Sequence, residues 1–202
     1  MMYVQGSQQD SADISYDVAE YEKYISWVKD QEGDGARFRS RIYKDARGKE
    51  TVGYGHTGDM IDKLKVRGQS LFGISKKEAD TLLRSDLDSH FNTLRQRMAN
   101  IGRLESFDTL DPNAKHMLLD YEFNLGDINA YPLLRDAVLA GDWDTASQEY
   151  KRSYTDKKTG DVKPLTKRNE GTYDFFLEDR FESGESLTED EHYYYTESTE
   201  ID

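Results

Sequence analysis

Between Glu32 and His56 the chain gathers residue types suited to acid–base chemistry, in the stretch EGDGARFRSRIYKDARGKETVGYGH. Glu32 closes a run of helical periodicity and is followed by Gly33. Asp45 falls in a turn that contains Gly48, and Thr51 and His56 flank Gly53-Tyr54-Gly55. Two carboxylates on different local elements can hold different pKa values, one shielded at a helix end and the other facing solvent. Such a pair can divide the work of acid and base. Asp34 is a second acidic candidate near the helix end. Glycine lets a ligand approach the backbone closely. On spacing alone, a hairpin with ordinary surface charges remains an open reading, because acidic residues near turns are common.

The elements that must position these residues are legible from local signals. Tyr21, Tyr24, Ile25 and Val28 fall at i, i+3, i+4 and i+7, which predicts a helix from Val18 to Gln31. A hairpin follows, with strands at Arg41–Lys44 and Thr51–Tyr54. Ser75-Lys76-Lys77-Glu78 is a capping box that opens a long helix to about Met98. Asp111-Pro112 opens a helix ending at Gly126, and Pro132 opens a short one stopped by Gly141. Asp142 or Asp144 caps another to about Tyr154, Thr155 to Lys163 is expected as a charged loop, and a last helix covers Leu165 to Leu177. The expectation is an α+β domain over 18–181, with a small β-hairpin lobe and a larger helical lobe joined by the long helix.

The chain has 202 residues, no cysteine, and a formal charge of -13. Disulfides and cysteine nucleophiles are excluded. Nucleic acid is not an expected partner, because a polyanion would be repelled. No apolar run reaches the roughly 20 residues of a membrane span, and the start lacks the basic-then-apolar layout of a signal peptide. The acidity sits at the ends: residues 1–17 carry three Asp and residues 182–202 carry eight acids, neither with Lys or Arg. The N-terminal extension (1–17) and the tyrosine-containing C-terminal tail (182–202) are therefore expected as appendages of the domain.

The segment from Glu32-Gly33 through Tyr43-Lys44-Asp45 and Gly48 to Thr51-Val52-Gly53-Tyr54-Gly55-His56 resembles the active-site region of the phage-type lysozymes, glycoside hydrolases that include the lambdoid endolysins. Further pieces follow in order: Phe123-Asn124-Leu125-Gly126, Leu133-Leu134-Arg135, Ala140-Gly141-Asp142-Trp143 and Lys167-Arg168. The similarity spans about 18–178 and implies a lysozyme-like fold. It also implies a muramidase that cuts the β-1,4 bond between N-acetylmuramic acid and N-acetylglucosamine in peptidoglycan. Two features depart from the pattern. Twelve residues separate Glu32 from Asp45, a longer gap than the family usually shows. Tyr131-Pro132 stands where a Ser is common.

By that resemblance Glu32 is the general acid, with a pKa raised by burial, while Asp45 and Thr51 hold a water on the opposite face of the sugar. Carboxylates about 6.5–9.5 Å apart would give inversion. Gly55, Phe123 and Asn124 are the implied substrate-binding residues, with Phe123 on a sugar face and Asn124 at an acetamido group. His56 has a supporting role through a carboxylate or backbone partner, and Arg168 is a partner for Glu32 across the cleft. No metal and no cofactor are expected. The protein would act from the host cytoplasm after release to the wall, or from a virion whose other proteins the acidic ends contact. The alternative is a virion structural or binding protein that keeps the fold without catalysis.

Overall fold

The computed structural model describes residues 18–31, 38–45, 48–58, 61–62, 73–156 and 159–182. The α+β expectation holds: two small antiparallel hairpins accompany a set of helices. Helix α1 (Val18–Gln31) buries Tyr24, Ile25, Trp27 and Val28, which form the apolar stripe of an amphipathic helix. Strands β1 (Arg39–Lys44) and β2 (Glu50–Gly53) form the first hairpin. Helix α2 (Lys76–Asn100) is about 37 Å long at the usual rise. Its start is fixed by the capping box: Glu78 N donates to Ser75 Oγ at 3.2 Å, and Ser75 N donates to Glu78 Oε2 at 2.7 Å. Ala79, Leu83, Leu87, Phe91, Leu94 and Met98 make its buried stripe.

The first hairpin is seated on the start of α2. A Cβ on Gly53 would lie 3.0 Å from Ala79 Cβ, and Gly53 has φ 68°, so both space and backbone favour glycine there. After the short helix α3 (Leu104–Asp108), helix α4 (Pro112–Leu125) runs through the middle of the core. Its N-cap Asp111 accepts from Ala114 N at 3.0 Å, and its C-cap is Gly126 with φ 84°. Ala114, His116, Met117, Leu118, Leu119, Asp120, Tyr121 and Glu122 are all buried, so α4 is enclosed nearly all round. A 3-10 turn at Ile128–Ala130, helices α5 (Pro132–Ala140) and α6 (Trp143–Glu149), and helices α7 (Thr166–Phe176) and α8 (Glu178–Glu182) complete the helical lobe.

The helix expected to reach about Tyr154 ends at Glu149, and the segment expected as a charged loop instead belongs to a second hairpin, β3 (Ser153–Thr155) with β4 (Val162–Pro164). Strands of three residues are too short to show alternation, and the lysines masked what remained of it. Its base is clamped by Asn169, whose Oδ1 accepts from Arg152 N at 2.8 Å and whose Nδ2 donates to Arg152 O at 3.0 Å.

Buried His116 gives the core an acid-sensitive point. Its ring stacks on Tyr24 at 4.5 Å with an interplanar angle of 5°. Burial pushes its pKa down to about 4, because the charged imidazolium loses its hydration there. The folded pKa lies below the unfolded one, so this contribution is complete above pH 6.5 and is lost as pH falls toward 4. The loss amounts to about 3 kcal/mol at about 1.36 kcal/mol per unit. Urea unfolding of His116→Phe at neutral pH and at about pH 4 is expected to show a smaller acid loss than wild type. Equal losses would remove His116 from the account.

Candidate active site

The turn after β1 is built around Asp45. Its backbone N donates to Lys49 O at 2.9 Å, and Gly48 N donates back to Asp45 O at 2.9 Å. Lys49 N also donates to Asp45 Oδ1 at 2.8 Å, the side-chain-to-backbone closure that favours Asp in turns. That bond fixes one carboxylate oxygen in the turn and orients the other. Asp45 is half-buried.

Thr51 lies on β2 opposite Tyr43, and its side chain is almost wholly enclosed. Its hydroxyl donates to Lys49 O at 3.0 Å. The proton is therefore committed inward, and the oxygen's lone pairs remain to accept. Lys49 thus ties both residues together, through its N–H to Asp45 and its carbonyl to Thr51.

Part of the lengthened segment before Asp45 is taken up inside β1. The register pairs Arg39 with Gly53 and Tyr43 with Thr51, so four steps along β1 match two along β2. This is a bulge, which absorbs extra residues at the cost of a local bend. Beyond it the pairs Tyr43–Thr51 and Lys44–Glu50 are regular, and the turn at Asp45 is undisturbed. Glu32 and Asp34 lie outside the described residues, as do the two ends of the chain at 1–17 and 183–202.

The other candidates fall into two groups. His56 is held beside the hairpin: its backbone exchanges two 3.0 Å hydrogen bonds with Val52, and its Nδ1 lies 2.7 Å and 2.9 Å from the two oxygens of Asp86 on α2. Gly55 is exposed in the turn between them, with φ 102°. Phe123 and Asn124 stand at the end of α4. Phe123 packs against the core and meets His90 edge-on at 5.3 Å. Asn124 Nδ2 donates to Asp120 O at 2.8 Å and to Asp120 Oδ1 at 2.7 Å. Both partners are acceptors, so the amide nitrogen must face inward and Oδ1 is turned away from Asp120.

Arg168, at the start of α7, donates to Asp120, a fully buried carboxylate that also accepts from Arg152. The Arg168 guanidinium lies 5.3 Å from the Trp27 ring on α1. Trp27 Nε1 in turn donates to Gly171 O at 3.0 Å, and Gly171 is packed against Gln31, the last residue of α1. Asp120, Arg152 and Trp27 were not singled out from sequence. The available signal was an Asp inside the apolar run Met117-Leu118-Leu119-Asp120-Tyr121, where an acid is buried only if it is paired.

Among the described residues no group of His, Asp and Glu is arranged to hold a metal ion, and no helix is long and apolar enough to cross a membrane. Residues 31–171 match the family model described as Phage lysozyme. No curated protein matches the chain.

Proposed function

The chain belongs to the phage lysozyme family, glycoside hydrolases that act on peptidoglycan, and from that membership we propose that it is an N-acetylmuramidase. In this reading it hydrolyses the β-1,4 bond between N-acetylmuramic acid and N-acetylglucosamine, with inversion, during lysis or entry of a phage. The catalytic domain is 18–181, and the acidic segments on either side are its attachments.

The observation that carries the reading is the shared anchoring of Asp45 and Thr51 by Lys49. Thr51 offers an acceptor because its proton is already given to Lys49 O. Asp45 offers a carboxylate oxygen. A water that donates one hydrogen to each has its lone pair directed away from both, toward the anomeric carbon. Glu32, which follows Gln31 at the end of α1, is the acid that protonates the leaving oxygen from the other face. Asp45 takes the proton the water loses, so the two carboxyls have exchanged protonation states at the end of one turnover and are reset by proton exchange with solvent. Phe123 and Gly55 border the sugar. Asn124 presents Oδ1 to an acetamido N–H, and Arg168 balances charge near the end of α1.

The test is product analysis on purified peptidoglycan. New reducing ends are expected on N-acetylmuramic acid, with the α-anomer appearing first by NMR. Reducing ends on N-acetylglucosamine, or a β-anomer formed first, would overturn the bond assignment or the inversion. A 1,6-anhydro product would replace hydrolysis by transglycosylation.

A further inference from the structure

The first hairpin carries a positive stripe that the proposed reaction does not use. Arg39 and Arg41 on β1 are both exposed. In the helical lobe Arg84, Arg95, Arg97, Arg135 and Arg180 each form an ion pair with a carboxylate. Among the described residues neither Arg39 nor Arg41 has one. Acids are not scarce in this chain, which has 40 Asp and Glu against 27 Lys and Arg. Two neighbouring arginines left without acids therefore leave a local positive field on an acidic protein.

Their geometry suits an anion of one kind. The Arg39 guanidinium lies 4.3 Å from the centre of the Tyr43 ring, a contact that limits its motion, while the residue stays exposed. A planar guanidinium matches a carboxylate through two parallel hydrogen bonds. The β1 bulge falls between Arg39 and Tyr43, the kind of irregularity that re-aims side chains. Beyond it the strand runs straight into Asp45. At roughly 3.3 Å per residue, Arg41 stands about 13 Å along the chain from Asp45 and Arg39 about 20 Å. A carboxylate held there is too far out to belong to the sugar under attack. It is within reach of a short peptide attached to a neighbouring sugar.

We propose that Arg39 and Arg41 form a carboxylate subsite that takes the peptide arms of peptidoglycan. The inference rests on peptidoglycan being the substrate. It adds the part of that polymer which an acidic enzyme grips by charge, beside the neutral glycan that it cuts.

The experiment measures binding of the full-length Glu32→Gln chain to insoluble peptidoglycan. One sample is native and the other has its carboxylates capped as methylamides. Adding Arg39→Ser and Arg41→Ser is expected to weaken binding to the native wall about tenfold and to leave binding to the capped wall unchanged. Capping alone should weaken the parent by a similar factor, and about 0.5 M salt should erase most of the difference. Equal affinity of the two chains on native wall overturns the subsite, and so does an equal loss on both walls. Tighter binding by the arginine variant would make one of the chain's own acidic ends the occupant, which also overturns it. Because both side chains are exposed, these substitutions leave the core intact. If Glu32→Gln hydrolyses as fast as wild type, the acid assignment fails while the binding result stands.

Discussion

Asp120→Ala is expected to destabilise the fold by about 3–5 kcal/mol, against a total of only about 5–15 kcal/mol for a domain. Asp120 is fully buried and accepts from both Arg152 and Arg168, whose side chains are also largely enclosed. Removing the carboxylate leaves two guanidinium groups in a nearly dry site with no described acid between them. Nearby Tyr121 cannot substitute as an anion, because burial raises its pKa to about 12 and its hydroxyl donates to Tyr150 O. Burial works against the charge of Arg152, yet Asp120 holds its pKa above the usual value, so the positive charge is present at every working pH. The same loss of order reaches the residue proposed to meet the acetamido group, since Asn124 Nδ2 donates to Asp120. Urea unfolding monitored by fluorescence checks the prediction. A companion variant with Asp120→Leu, Arg152→Met and Arg168→Met is expected to recover most of the loss, because an apolar replacement of a whole buried charge cluster is often close to neutral. A cost below about 1 kcal/mol for Asp120→Ala would mean that water reaches the cluster and that burial is not what binds it.

The parts of this molecule that were legible in the sequence are those whose causes are local. The capping box at Ser75, the Asp111-Pro112 start and the Gly126 and Gly141 stops each act within one helical turn, and each marks an observed helix end. The turn at Asp45 is equally local, because its closing bonds join residues three or four apart. Asp120 escaped notice because its two arginine partners lie 32 and 48 residues away, and no window of sequence contains both. The β3–β4 hairpin escaped for a different reason. Its strands are held by a clamp from Asn169 on α7 rather than by an apolar face of their own. The longer path from Glu32 to Asp45 was visible as a count, but the bulge that absorbs part of it depends on what β2 and the distant Gly73-Ile74 segment present to β1, where Ile74 N donates to Ser40 O at 2.7 Å.

Glu32→Gln and Asp45→Asn are each expected to lower kcat on peptidoglycan by about 10²- to 10⁴-fold, the range for removing one positioned acid or base. Glu32→Gln takes away the only proton that the leaving oxygen can receive in the proposed reaction. For Asp45→Asn the effect follows from the turn itself. Lys49 N needs an acceptor at 2.8 Å, so the new side chain keeps its carbonyl oxygen there and turns its NH2 group to where the second carboxylate oxygen was. In the proposed reaction, a group that accepts from the water becomes one that donates to it. The water then reverses, with its hydrogens rather than its lone pair facing the sugar. The turn bonds survive this exchange, so the melting temperature should move by no more than a degree or two while the rate collapses. Thr51→Ser keeps an oxygen that can accept and should retain most activity, whereas Thr51→Val presents no acceptor and should lose about tenfold or more. Initial rates of wall clearing with the four variants, at matched folded concentration, decide the matter. A rate for Asp45→Asn within a factor of a few of wild type would show that the water is oriented by other groups, and that the hairpin is scaffold rather than catalyst.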